Sequence, residues 1–229
     1  MYQPCPMHKK LLPLFVAIAI AGPLTSHAAP NPPEKLADGI IIPVNDTFLR
    51  VQVYADNVVR IACAKDRAFF DRPSVVTEPK RVVKTDWSLN TDHDEAILST
   101  ARLQVHVNLE NGAVSFFDAG GKPILAETSG GRTITPAEVQ GEQTFHVGQT
   151  WEPNADESLY GLGQRQIGII DIKGYDLDLW QHNTHVVVPL LVSSRGYGVL
   201  WDNPSQTTIQ PGFNEQTRWT SQVGDRVSF

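Results

Sequence analysis

Over residues 102–109 the chain alternates without a break. Leu103, Val105, Val107 and Leu109 are apolar, while Arg102, Gln104, His106 and Asn108 are polar. A period of two places the two sets on opposite faces of an extended strand, one buried and one wet. Glu110-Asn111-Gly112 follows, and Asn-Gly accepts the positive φ of a tight turn. Ala113 to Phe117, a turn at Asp118-Ala119-Gly120-Gly121-Lys122 and Pro123-Ile124-Leu125 then complete a predicted three-stranded meander over 102–125. Further strands are predicted at 48–54, 58–64, 75–76, 82–85, 96–99, 143–147, 177–180, 186–193, 198–201 and 218–219. Residues 128–141 read as a turn-rich crossover between sheets. No segment sustains a 3.6-residue apolar period long enough for a helix. Many short strands split by Gly, Pro, Asn and Asp turns make the fold class all-β, a sandwich or barrel.

Residues 1–28 read as a signal peptide. Lys9 and Lys10 precede an apolar run over 11–24, and Ser26-His27-Ala28 supplies the small residues a signal peptidase requires. That run is shorter than the roughly 20 residues of a spanning helix, and Gly22 and Pro23 interrupt it, so no membrane span is expected after cleavage. The expected location is outside the cytoplasm, periplasmic or extracellular. Proline-rich residues 29–43 read as a linker into one domain over 44–229. Cleavage removes Cys5 and leaves Cys63 as the only thiol, so the exported fold must rest on its core rather than on a disulfide. Cys63 ends the apolar run 58–63 and reads as buried and inert. Losing two lysines takes the formal charge from −6 to −8. An acidic chain without a basic stripe argues against a nucleic-acid partner.

Several constellations invite a chemical reading. Asp171, Asp176 and Asp178 lie close together, but paired carboxylates on a strand are most often a solvated face. His182 and His185 stand three apart without an evident third ligand for a metal. His93, among Asp92, Asp94 and Glu95, reads as a polar loop. Gly161-Leu162-Gly163 lacks the following helix and the basic residue of a phosphate cradle, so the glycines are expected to permit tight turning. The reading calls for no metal and no cofactor. At the other end, residues 217–229 read as strands with a turn at Gly224-Asp225, and Val227-Ser228-Phe229 reads as a strand cut part-way, with further structure expected beyond it.

The stretch 157–207 carries YGLGQ, then QHNTH, an apolar run through Pro189, and RGYGVLWDNP. It resembles the N-terminal β-domain of glycoside hydrolase family 31, the α-glucosidase and α-xylosidase family, and the wording is nearer the bacterial α-xylosidase branch. The resemblance implies a β-supersandwich of the galactose-mutarotase-like type. It also implies a catalytic (β/α)8 barrel in cis that is missing here, with two aspartates of a retaining glycosidase on barrel strands. Asp202, in the WDNP turn, is then structural and this chain alone inactive. The family's β-domain lends a loop to the barrel mouth, which here corresponds to Gln181, His182, Asn183 and Thr184, with Trp180 beside it able to stack on a sugar ring. The implied partners are oligosaccharides, xyloglucan fragments or α-glucosides, bound through the parent enzyme. Two other readings stay open at this point: a stand-alone carbohydrate-binding module, and an aldose mutarotase built around His106 and an unidentified carboxylate.

Overall fold

The computed structural model describes residues 32–78 and 85–229. The signal peptide expected over 1–28 and most of the strand expected at 82–85 lie outside the described residues.

Among the described residues, eighteen strands, numbered in chain order, form four antiparallel sheets. The first sheet has the order β1 (Glu34–Leu36), β2 (Gly39–Val44), β3 (Thr47–Ala55), β4 (Val58–Ala64), with the final strand β18 (Arg226–Ser228) beside β4. The second is a five-strand meander of β5 (Ser88–Asp92), β6 (Glu95–Ser99), β7 (Leu103–Asn108), β8 (Val114–Asp118) and β9 (Pro123–Ala126). The third runs β10 (Thr133–Val139), β11 (Glu142–Trp151), β17 (Gln216–Gly224), β16 (Thr207–Phe213), β13 (Leu177–Leu179). The fourth is a small sheet of β12 (Leu159–Gln164), β14 (Val186–Ser193) and β15 (Gly198–Leu200), with β14 in the middle. The all-β fold class expected from the sequence is the observed one.

One core runs through all four sheets. Leu49 and Ile61 from the first, Val105 and Val107 from the second, Val147 and Ile209 from the third and Leu159 from the fourth are all buried in it. The alternation over 103–107 works as expected: Val105 and Val107 face inward, and Gln104 and His106 lie on the opposite face. Three tryptophans fill the centre. Trp201 stacks on Trp219 with centroids 5.5 Å apart, and Trp151 meets Trp201 edge-on at 6.4 Å. Each large ring removes roughly 150–250 Å² from water, which makes this trio the main apolar anchor between the third and fourth sheets. Among the described residues Cys63 is a free, buried thiol.

The expected linker over 29–43 is corrected: residues 34–36 and 39–43 are paired strand. Ile40 and Ile42 enter the main core, while Ile41 points to the other face, against Ala62, Ala64 and Phe70. An apolar run without alternation is the mark of a strand buried on both faces. Phe70 comes from a short 3-10 turn, Arg67–Asp71, opened by the Asp66 carboxylate, which accepts from the Ala68 N–H at 2.9 Å. Pro43 fits because β1 pairs only as far as Ile41, so β2 has a single neighbour where the N–H is missing. Residues 128–141 likewise contain a strand, β10, at a sheet edge. Val75 and Val76 lie in a loop, with Val75 77% exposed.

Candidate functional site

The fourth sheet and the loop feeding it form the most unusual surface of the molecule. In β12, Gly161, Leu162 and Gly163 all have positive φ, 101°, 63° and 89°. The pairing of β12 with β14 slips at this point, so the segment is a bulge. A Cβ on Gly161 would lie 2.4 Å from the Leu190 carbonyl oxygen, and one on Gly163 2.0 Å from that of Val186. The glycines therefore let two backbones touch, and Leu162 drops its side chain into the core. Arg165 then donates to the carbonyls of Leu162 at 2.9 Å and Asp178 at 3.2 Å, tying β12 to β13.

Between β13 and β14 runs the loop 180–185. The Gln181 side chain closes it from within: Nε2 donates to the His185 carbonyl at 2.6 Å, and Oε1 accepts from the Val187 N–H at 3.0 Å. The His185 N–H donates to the His182 carbonyl at 3.1 Å, and Thr184 sits in the left-handed region at φ 71°. A non-glycine residue there is strained and is held by its surroundings. Three rings line up on the outside. Trp180 and His182 have centroids 5.7 Å apart, and His182 meets His185 edge-on at 4.1 Å. Trp180 is 59% exposed, so it is not a core tryptophan.

The structure thus separates the five residues singled out from sequence. Trp180 and His182 come together as an open ring surface, and Asn183 and Thr184 are exposed at the tip. Gln181 spends its amide on the loop's own backbone. His185, which the sequence offered only as a metal ligand, joins the ring row instead.

Directly beyond the loop, β14 presents Val186, Val188, Leu190 and Val192 to the outside, each more than a third exposed. Residues two apart on a strand share a face. Their cross-strand neighbours Tyr160 and Leu200, opposite Val192 and Leu190, extend the same apolar face. Nothing in the period-two pattern could flag it, because the opposite face of β14 is apolar too.

The other candidates resolve into structural roles. Asp202 accepts from Arg60 Nη2 at 2.5 Å, Ser74 Oγ at 2.5 Å and Ser228 Oγ at 3.2 Å. Asp171 accepts from the N–H groups of Leu159 and Lys173, both at 3.0 Å. Its slight burial works against ionisation, but these bonds and Ser158 prevail and hold the carboxyl below its usual range. Asp176 and Asp178 are engaged separately, by Gln210 and Thr208. Among the described residues no set of three His, Cys, Asp or Glu side chains is placed to hold a metal.

His106 does have a carboxylate, which sequence reasoning missed. Its Nδ1 lies 3.2 Å from Glu95 Oε1, and its ring lies 4.4 Å from that of Phe117. Glu95 is opposite Asn108 rather than His106, so the contact is a diagonal one across β6 and β7. An acid–base pair for sugar ring opening must bracket the substrate. These two groups are bonded directly to each other on the side of the strand opposite Val105 and Val107, which disfavours the mutarotase reading.

The glycosyl hydrolase 31 N-terminal galactose mutarotase-like domain model matches residues 48–210. An α-xylosidase from Saccharolobus solfataricus is 27% identical over 195 residues, covering 81% of this chain and 26% of that protein. A family 31 glucosidase from Pseudescherichia vulneris is 24% identical over 203 residues, 80% of this chain and 37% of its own length. Among solved structures, the α-xylosidase of Xanthomonas citri superposes with a TM-score of 0.72 at 36% identity, over 76% of this chain and 19% of that one. A soil-metagenome α-xylosidase complexed with xylose superposes at 0.75 and 24% identity, over 86% and 32%. The chain therefore spans only 26% and 37% of the lengths of these two curated relatives. It belongs to the glycosyl hydrolase 31 N-terminal galactose mutarotase-like domain family.

Proposed function

We propose that this chain is the non-catalytic N-terminal β-domain of an exported α-xylosidase-like glycosidase in carbohydrate metabolism. In this reading the domain buttresses a catalytic barrel in cis and lends the loop 180–185 to its sugar pocket. The observation that carries it is the junction between that loop and β14. An apolar strand face open to water is costly unless another body covers it. The same strand begins where an exposed tryptophan and two imidazoles end. A body docked on Val188, Leu190 and Val192 would bring its own surface next to Trp180 and His182. Indole faces pack on the C–H faces of pyranose rings, and imidazole nitrogens and the Asn183 amide hydrogen-bond hydroxyls. The substrates in view are xyloglucan fragments or α-glucosides, and the reacting carboxylates belong to the barrel.

Gln181 enters as the clip that holds the loop in shape rather than as a sugar contact. The test is Trp180→Ala in the whole polypeptide that carries this segment. Loss of one stacking surface should raise KM for an α-xyloside about fivefold with kcat little changed. Unchanged KM would remove the loop from the pocket.

A further inference from the structure

The loop 180–185 leaves one sheet and returns to another. It departs from Leu179, the last residue of β13 in the third sheet, and arrives at Val186, the first of β14 in the fourth. Among the described residues β13 is the outermost strand of its sheet and β12 the outermost of the other, and no ladder joins the two sheets here. Strand pairing alone therefore leaves the separation of the loop's ends unset. A single side chain spans it. Gln164 pairs with Val186 at the return end, and Arg165 follows directly. Its Nη1 donates to the Leu162 carbonyl at 2.9 Å, in the bulge, and its Nη2 reaches the Asp178 carbonyl at 3.2 Å, two residues before Trp180. One guanidinium thus ties the return end of the loop to its departure end. Gln181 closes the loop only from within, through His185 and Val187. Arg165 is half-buried, and burial lowers its pKa while the Asp178 carboxylate opposes the fall. A cation drawn from water at that cost needs its donors matched, and two backbone carbonyls match them.

We propose that Arg165 is a positioning residue that holds the ends of loop 180–185 at the span presenting Trp180 and His182, a role that rests on the reading of that loop as part of the sugar pocket. The rigid fork of a guanidinium suits the task, because its two terminal nitrogens serve carbonyls on different strands at once. A lysine carries the same charge but ends in one nitrogen on a flexible stem. Asp178 takes part through its backbone, while its carboxylate accepts from Thr208 at 2.9 Å. The bulge takes part too: its central residue Leu162, at φ 63°, supplies the first of the two carbonyls. The tight turn of the YGLGQ segment and the exposed ring row are thereby one mechanical unit. Contact energy falls steeply with separation. A loop free to spread at its neck loses its grip on a sugar although every contacting side chain remains.

The experiment pairs kinetics with amide hydrogen exchange. In the native polypeptide carrying this segment, Arg165→Met should raise KM for p-nitrophenyl α-D-xyloside by up to about fivefold, the most that the Trp180 stack supplies, with kcat little changed. Combined with Trp180→Ala it should raise KM no further than Trp180→Ala alone, because the clasp has then lost the ring it places. Arg165→Lys, which keeps the charge but not the fork, should restore only part of the loss. In the 229-residue chain, the His185 and Val187 amides should exchange about tenfold faster in Arg165→Met, the worth of one hydrogen bond from a charged group. The buried Val107 amide should not change, which shows the fold intact, and exchange decides alone if the native variant does not accumulate. Unaltered exchange at His185 and Val187 overturns the proposal. So does a KM rise in Trp180→Ala that Arg165→Met does not share, or one that adds fully in the double variant, and both leave the loop reading standing. KM unchanged in both single variants overturns the loop reading itself and this proposal with it.

Discussion

Arg60 on β4 and Asp202, just beyond β15, meet at 2.5 Å across 142 residues of sequence. Asp202 is nearly buried, with 6% of its side chain exposed, and Ser228 of β18 and Ser74 share its oxygens. The pair therefore joins the first sheet to the fourth at the point where β18 returns to β4. An aspartate in a Trp-Asp segment resembles a glycosidase nucleophile by wording alone; its partners make it a tie. Removing one member of a buried pair strands the other. Asp202→Ala is expected to lower unfolding free energy by about 3 kcal/mol, read as a lower urea midpoint, with Asp202→Asn costing distinctly less.

The bulge in β12 gives a sharper test of sequence meaning. Gly163→Ala must place a methyl 2.0 Å from the Val186 carbonyl oxygen at a φ of 89°. Backbone displacement and strain together should cost at least about 2 kcal/mol. Gly121→Ala is the control: its φ is 81° but nothing lies within 4 Å of the added carbon. Its cost should stay near 1 kcal/mol, the left-handed penalty alone. Equal losses at the two positions would mean that close approach plays no part in the YGLGQ segment.

Strands β6 to β9 of the second sheet were legible because apolar residues mark them and their turns carry Asn-Gly and Gly-Gly, whereas β5 was not, since Ser88–Asp92 holds a single apolar residue and is mostly exposed. β4 and β14 were legible as apolar, β-branched runs. Residues 39–44 were hidden by their prolines, although three consecutive isoleucines marked a strand buried on both faces. β12 and β16 were hidden for the opposite reason, since Gly161, Gly163, Pro211 and Gly212 interrupt the propensity that cross-strand pairing restores. Of the candidate site, the loop position could be read from sequence through the family resemblance. The role of Gln181 could not, because an amide that bonds its own backbone and one that faces a ligand look identical in a sequence. The contact between Glu95 and His106 depended on register.

Alkaline pH should expose one hydrogen-bonded phenol. Tyr197 donates to Glu157 Oε1 at 2.5 Å, and burial together with that negative charge raises its pKa well above the ordinary value of 10.0. A folded-state pKa raised above the unfolded one gives stability that is whole below pH 10 and is lost as pH climbs toward the folded value. Tyr197→Phe should be less stable than the parent by about 1.5 kcal/mol at neutral pH. The gap should narrow steadily above pH 10 in thermal melts. A constant difference across that range would show that the phenol titrates normally.

The outer face of β14 makes a prediction for the chain on its own. Val188 and Leu190 are 44% and 37% exposed, so replacing both with lysine should change unfolding free energy by less than about 1 kcal/mol. The uncovered face should, however, drive self-association of the parent chain as concentration rises, and the double variant should suppress it. Sedimentation velocity over a concentration series distinguishes the two. Identical behaviour would mean that this face is not adhesive.

If, as proposed, this β-domain serves a glycosidase without performing its chemistry, the isolated domain and the native polypeptide must differ in turnover. The most direct measurement is turnover of p-nitrophenyl α-D-xyloside by the native polypeptide carrying these residues, beside the 229-residue chain alone. The expected result is a native species much longer than 229 residues that hydrolyses the substrate, and no turnover by the isolated chain. Hydrolysis by the isolated chain, or a native polypeptide of this length with no activity, would contradict it.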